Sequence, residues 1–299
     1  MASSVVYWTS DGGGDEGGEV VAVLHTWIRN QNDASLIVYG GDIYASGTAD
    51  QYTRFLEQVG GNLDLHCGLP GNHDWLTSGT NPFAGRIPHA YETFWRSRPS
   101  RQQIDTSKRS GARYEHFIDL NGWRLIFLDT GLCHEQPWPI GDPERLRWLR
   151  ARLTEKPGRA KLIFGHHSRL SRGIHGDNKG VDGIWRALFT DSGMPLAACT
   201  IGGHDHNVNI YSPRPARDPE KNGVKFDKGI YVVVNGAGGN GFYEGDTGTV
   251  PDLFRLTDGY CVTRIELVSD RKAILSTIGF GPAPRPFASV VVNRLNIDL

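Results

Sequence analysis

Short apolar runs that stop at glycine, polar or acidic residues recur along this chain, at 5–8, 36–39, 63–67, 125–128, 162–164, 197–201 and 231–234. Runs of that length, bounded that way, predict buried strands. Helical patterns lie between several of them. Residues 18–30 follow the first run and 49–58 the second. Residues 143–155 open on Pro143, which suits a first helical turn, and 181–191 carry Trp185, Leu188 and Phe189 at helical spacing. Strand and helix in alternation predict an α/β layered fold. From about residue 229 the text changes to strands without helices, including 259–268 and 273–278, and a more antiparallel region is expected there. Residues 75–112 scatter Arg86, Arg96, Arg98, Arg101 and Arg109 among Trp, Phe, Pro and Ser. They read as a loop excursion with one helix over 90–95, either capping a site or solvated. Residues 212–228 read as an exposed loop. With no internal repeat and no break in composition, 1–299 is taken as one domain, ending in a tail over 284–299.

Composition narrows the class. A chain of 299 residues with 38% hydrophobic and 22% charged residues can bury a sizeable core, which sets aside disordered and fibrous proteins. A formal charge of −1 gives no electrostatic case for nucleic acid, and no apolar run approaches a membrane span. The first residues show neither a basic leader nor a long apolar stretch, so no secretory signal is expected and the default location is cytoplasmic. Cys67, Cys133, Cys199 and Cys261 are too scattered for a zinc CxxC site or a disulfide scaffold. Cys67 and Cys199 sit in apolar runs and are expected as buried thiols.

The chemistry concentrates in short glycine-flanked strings at the ends of the apolar runs: Gly40-Gly41-Asp42, Gly71-Asn72-His73-Asp74, Gly165-His166-His167 and Gly203-His204-Asp205-His206. In strand-then-loop folds, ligands gather where loops leave the carboxyl ends of strands. Asp11, Asp42, Asn72, His166, His204 and His206 all fall at such places. Carboxylate, amide and imidazole donors suit Mn, Fe, Zn or Ni. Six such groups exceed what one ion needs, whereas two ions sharing a carboxylate would use them all. A pair of ions roughly 3.5–4 Å apart is an arrangement that hydrolyses phosphate esters. Each string alone could be a turn, and His204 and His206 could alternate on one side of an extended chain. Independent turns have no reason to occur together in this order. Residues 236–241 fit G-x-G-x-x-G, but residues 242–248 are poor helix material, so the run is read not as a dinucleotide site but as a glycine-rich loop near the metal site, one that could line it. His25, His66, His89, His116 and His134 lie outside the strings and are read as structural or solvated.

The ordered set Asp11, Gly41-Asp42, Gly71-Asn72-His73-Asp74, Gly165-His166 and Gly203-His204-Asp205-His206 resembles the calcineurin-like metallophosphoesterase superfamily. The segment from His166-His167-Ser168 to Ser171-Arg172-Gly173-Ile174-His175-Gly176 is similar to its purple-acid-phosphatase-like branch. The resemblance implies an α/β four-layer αββα sandwich of two mixed β-sheets, with a dinuclear site at the carboxyl ends of the strands. It implies Asp42 as the bridge, Asp11 and His206 on the first ion, and Asn72, His166 and His204 on the second. It also implies His73 as the acid for the leaving oxygen, Asp74 orienting His73, and His167 and His175 contacting substrate. Many members read Asp-x-His in the first block, where this chain reads Asp11-Gly12-Gly13. The first ion therefore lacks that histidine, and either Tyr44 or water would complete its shell. The implied activity is hydrolysis of a small phosphoester by a metal-bridging hydroxide. A nuclease on the same scaffold, or a catalytically silent metal-binding scaffold for a partner protein, would be the alternatives.

Overall fold

Alternation along the first strand decides the layering. In β1 (Ser4–Thr9), Val6 and Trp8 face one apolar cluster, while Val5 and Tyr7 face another beneath α1 (Gly18–Gln31), with Val20, Leu24 and Ile28. β2 (Ala34–Tyr39) pairs parallel to β1 and divides its side chains the same way, Leu36 and Val38 inward and Ile37 toward α1. A capping box between Thr48 and Gln51 starts α2 (Ala49–Gln58), which leads to β3 (His66–Gly68), parallel to β2. The short α3 (Asn72–Leu76) follows, then α4 (His89–Arg96). The structure is a computed structural model that describes residues 3–12, 18–43, 45–76, 88–108, 113–131, 143–221, 228–243, 245–281 and 290–299.

The second sheet is built from β4 (His116–Leu120), β5 (Trp123–Leu128), β6 (Lys161–Gly165), β8 (Cys199–Gly202), β9 (Val208–Arg214), β10 (Ile230–Asn235) and β12 (Phe254–Leu256). Its order is β12-β9-β10-β8-β6-β5-β4, parallel through β5, β6, β8 and β10 and antiparallel at both edges. The first sheet runs β15-β14-β13-β1-β2-β3 and gains its antiparallel half from β13 (Tyr260–Leu267), β14 (Lys272–Phe280) and β15 (Val290–Asp298). Both sheets are therefore mixed, and a separate two-stranded ribbon pairs β7 (Arg172–Gly173) with β11 (Thr247–Gly248). Leu125, Phe127, Leu162 and Phe164 of the second meet Val6, Trp8, Leu36 and Val38 of the first in the central core. Ile126, Leu128 and Ile163 point outward, onto Leu149 and Leu153 of α5 (Pro143–Thr154) and Trp185 of α6 (Asp182–Ala187). Helix, sheet, sheet, helix is the expected four-layer sandwich. Among the described residues no helix is long and apolar enough to cross a membrane.

Several boundaries differ from expectation. β3 begins only at His66, and the helix expected over 181–191 ends at Ala187. The expected tail is structural from Val290 on, since β15 forms the outer edge of the first sheet against β14. β4 and β12 had no clean apolar signature because their edge positions leave them half-exposed; in β4 only His116 is buried. The described part of the 75–112 excursion is not a solvated loop. Tyr91, Phe94 and Trp95 of α4 pack with Tyr52, Phe55, Trp75 and Tyr114 in an aromatic cluster. Arg96 and Arg113 pair with the buried Glu92, while Arg86 and Arg109 lie outside the described residues. Cys67, Cys199 and Cys261 are free and buried; Cys133 and His134 lie outside the described residues.

Three of the histidines read as structural are core residues. His25 stacks on His66, and His116 stacks on Phe127 with ring centroids 4.6 Å apart. Burial pushes the imidazoles of His66 and His116 down to about 4. A base whose folded value lies below its unfolded value near 6.5 contributes stability above that value and loses it as pH falls toward 4. For His116 the loss between pH 7 and pH 5 is on the order of 2 kcal/mol. Urea melts of metal-stripped wild type and His116→Phe are expected to converge by about that amount over this interval. A difference that does not change with pH would contradict it.

Candidate metal centre

The six expected ligand residues arrive at one end of the two sheets from the loops after β1, β2, β3, β6 and β8. Three of them, Asp11 (φ 58°), Asp42 (φ 52°) and His204 (φ 71°), hold left-handed backbone without being glycine. Such conformations cost energy and persist where the surroundings enforce them, often at functional sites. Here the loops brace one another: Asp11 N donates to Gly41 O at 3.0 Å, and Gly12 N to Asp42 O at 3.0 Å. His204 N donates to Asp11 Oδ2 at 2.9 Å, and Ser10 Oγ donates to the same oxygen at 2.6 Å. The string around His204 is thus a bent turn after β8, not the extended chain that alternation suggested. Its two histidines diverge, His204 toward the rings of His166 and His167 and His206 toward Asp11.

At the centre, His166 Nε2 lies 3.1 Å from Asp42 Oδ2, 3.1 Å from Asn72 Oδ1 and 4.0 Å from Asp11 Oδ1. His206 Nε2 lies 3.7 Å from the same Asp11 oxygen. The imidazoles share one arrangement. Nδ1 of His166, His206, His167 and His73 faces the carbonyl of Gly40, Gly241, Thr130 and Ala45, at 2.8, 2.7, 2.5 and 2.7 Å. A carbonyl only accepts, so Nδ1 carries the proton and Nε2 is the nitrogen left for a ligand. Backbone carbonyls holding the far nitrogen are how metal-binding histidines are commonly oriented.

Charge makes the same point. Burial alone would push the His166 imidazolium down, but Asp42 and Asp11 outweigh it and hold it up to about 10. Burial, with the Asp42 charge adding to it, raises the Asp11 carboxyl to about 7, although His166 opposes the rise. Burial would likewise raise Asp42, yet His166 and then His73 hold it below the usual range. Burial pushes His206 down to about 4, leaving it neutral as a ligand must be. Asp11 Oδ1 is buried with no hydrogen-bond partner. A buried acceptor facing two imidazole nitrogens calls for a cation, and these residues fit a divalent metal ion. Among the described residues two groups have the required closeness, Asp11 with Asp42 and His166, and His166 with His167 and His204.

Other assignments shift. Asp74 does not orient the His73 ring, which Ala45 O holds. Its carboxylate accepts from Asp42 N at 2.9 Å, Gly71 N at 2.7 Å and Tyr52 Oη at 2.6 Å, so it fastens the Asp42 loop to the Asn72 loop. Burial, with Asp42 beside it, raises its carboxyl to about 6. His167 stands within one of the metal-sized groups rather than only at a substrate's edge. His175 is tilted over His204 with centroids 4.0 Å apart. Tyr44 lies outside the described residues. Residues given no role from sequence also take part. Asp205 accepts from Ser171 Oγ and from His175 N, the latter at 3.0 Å, which hangs the His175 loop from the His204–His206 turn. Tyr243 stacks on His206 with centroids 3.9 Å apart. Asp205 was within the string itself, and Tyr243 follows the glycine-rich run expected near the site, though no role had been given to either.

A family model for calcineurin-like phosphoesterases matches residues 14–208. The chain belongs to that family. Among protein relatives of this chain are a 3′,5′-cyclic adenosine monophosphate phosphodiesterase, CpdA, of Pseudomonas aeruginosa, and a probable glycerophosphodiester phosphodiesterase, GpdQ, of Arcobacter nitrofigilis. The first is 22% identical over 62% of this chain and 58% of that protein. The second is 26% identical over 46% of this chain and 44% of that protein. The chain thus spans about half the length of these relatives. In fold, the calcineurin-like chain matches the purple acid phosphatase PPD1 of yellow lupin seeds with a TM-score of 0.74, at 16% identity, over 100% of this chain and 54% of that one. It matches PhoD with a TM-score of 0.70, at 12% identity, over 100% of this chain and 70% of that one.

One glycine tests how tightly the loops must meet. A Cβ on Gly71 would stand 2.0 Å from Asp42 Oδ1 and 2.6 Å from Asp42 N. Gly71→Ala must therefore move the Asp42 carboxylate, and metal affinity is expected to fall by about 10–100-fold. Elemental analysis after dialysis against buffered metal checks it, and wild-type metal content at every level would contradict the geometry.

Proposed function

We propose that this protein is a metal-dependent hydrolase of phosphoesters, working with two divalent or trivalent ions held by Asp11, Asp42, Asn72, His166, His204 and His206. The observation that carries the reading is the convergence of the His166 and His206 Nε2 atoms on the buried, unpartnered Asp11 Oδ1. When bound, two such ions supply hydroxide near neutral pH and neutralise the phosphoryl oxygens as charge builds in the transition state.

The chain's own groups have distinct parts in this reading. Asp42 offers one oxygen to His166 and the other to His73 N, at 2.9 Å, so its carboxylate is held between the two halves as a shared ligand must be. His73 is half-buried, and its Nδ1–H is spent on Ala45 O, so Nε2 is the one ring position from which it can hand a proton to a departing oxygen. His175 and Tyr243 meet edge to face, 5.4 Å apart, at the rim over His204 and His206. Apolar faces there suit the organic substituent of an ester. Because both protein relatives are named as phosphodiesterases, a diester is the first substrate class to try.

Two substitutions separate the roles. Asp42→Ala is expected to lose metal and turnover together. His73→Ala is expected to keep metal while turnover falls roughly 10²–10⁴-fold. Elemental analysis and initial rates on an aryl phosphate and its bis-aryl diester check both, with the diester expected to turn over faster. Stoichiometric metal and full hydrolysis after both changes would sink the assignment.

A further inference from the structure

We propose that Asn240 is a ligand of the Asp11–His206 metal position, taking the place of the histidine absent at Gly13; this rests on the metallophosphoesterase reading above. The loop after β10 is docked onto the Asp11 loop by backbone alone. Gly238 N donates to Ser10 O and Asn240 N to Asp11 O, each at 3.0 Å. A Cβ at Gly238 would stand 2.1 Å from Ser10 O, and one at Gly239 would stand 2.4 Å from Gly12 O. No other residue type permits that approach, so the glycines that imitate a dinucleotide motif serve to bring Asn240 against the first strand's ligand loop.

The docking sets a third polar group at one gap. Asn240 Nδ2 lies 3.4 Å from His206 Nε2, and Asp11 Oδ1 lies 3.7 Å from that nitrogen. His206 spends its Nδ1–H on Gly241 O, so the lone pair of Nε2 faces the other two groups. Without an ion the amide NH₂ serves that lone pair, and Asn240 Oδ1 accepts from Gly241 N at 2.9 Å. The two ends of an amide are told apart only by such bonds. A half-turn of the side chain brings Oδ1 to the gap and releases the Gly241 N–H, which lies at an exposed residue and passes to water. A carboxamide oxygen is a neutral, hard donor of the kind Asn72 supplies to the other ion. It keeps the charge a neutral histidine would give and shifts this position toward oxygen-preferring ions such as Mn²⁺.

The test is a titration of metal-stripped protein with Mn²⁺, following free ion by its electron paramagnetic resonance signal, so that activity plays no part. Wild type is expected to bind two equivalents. Asn240→Ala should keep one and weaken the other at least about tenfold, whereas Asn240→Asp should hold both, because the oxygen ligand remains. Unchanged affinity for both equivalents in Asn240→Ala would overturn the proposal. So would equal weakening by Ala and Asp in variants whose metal-free melting temperatures match wild type. Wild type that takes up no Mn²⁺, Fe, Zn or Ni would instead defeat the metallophosphoesterase reading on which this rests.

Discussion

Two carboxylates and an imidazole meet out of reach of solvent, and the rest of the molecule is arranged around that meeting. Asp11 and His166 are fully buried and Asp42 nearly so. Like charges this close in a low-dielectric interior repel unless a cation stands among them. Without metal, a proton on His166 supplies that charge, held by Asp42 and Asp11 against the pull of burial. On the proposed reading, proton and metal ion would compete for one nitrogen. The electrostatic demand that the side chains leave incompletely met is most visible at Asp11 Oδ1.

The sandwich makes this demand sustainable. Parallel strands in both sheets end at the same edge, so loops from β1, β2 and β3 in one sheet meet loops from β6, β8 and β10 in the other. Neighbouring loops then fix each other through backbone donors: Asp11 takes the His204 amide, Asp42 takes the His73 amide, and Asp74 takes the amides of Asp42 and Gly71. Strain at Asp11, Asp42 and His204 is tolerated because a large apolar core stands beneath it. At the rim, His73 is half-buried and His175 exposed, where a substrate arriving from solvent would meet them.

Much of this was legible in the sequence, for a physical reason. Fully buried strands such as β1, β5, β6 and β10 are unbroken apolar runs, and metal ligands at their ends are chemically distinctive among glycines. Edge strands are not legible in that way. β4 and β12 are half-exposed, and β15 joined the sheet through pairing with β14 that no local pattern announced. Which residues gather at the site could be read, but hydrogen-bond direction could not. Asp74 follows His73 directly, yet its carboxylate serves backbone amides across the loop, because left-handed Asp42 turns its N–H toward it. Asn240 and Tyr243 reach the centre through long-range docking of a glycine loop; the loop was expected near the site, but the contacts of these two side chains were not readable from spacing.

That this edge of the sandwich holds metal for phosphoester hydrolysis is tested best by hydrolysis of a bis-aryl phosphate by the wild-type chain before and after removal of its ions. Metal is counted per chain at each stage. The expected result is about two ions per active chain, loss of hydrolysis when they are stripped, and its return as both equivalents are restored. Undiminished hydrolysis by protein holding no metal would contradict the reading.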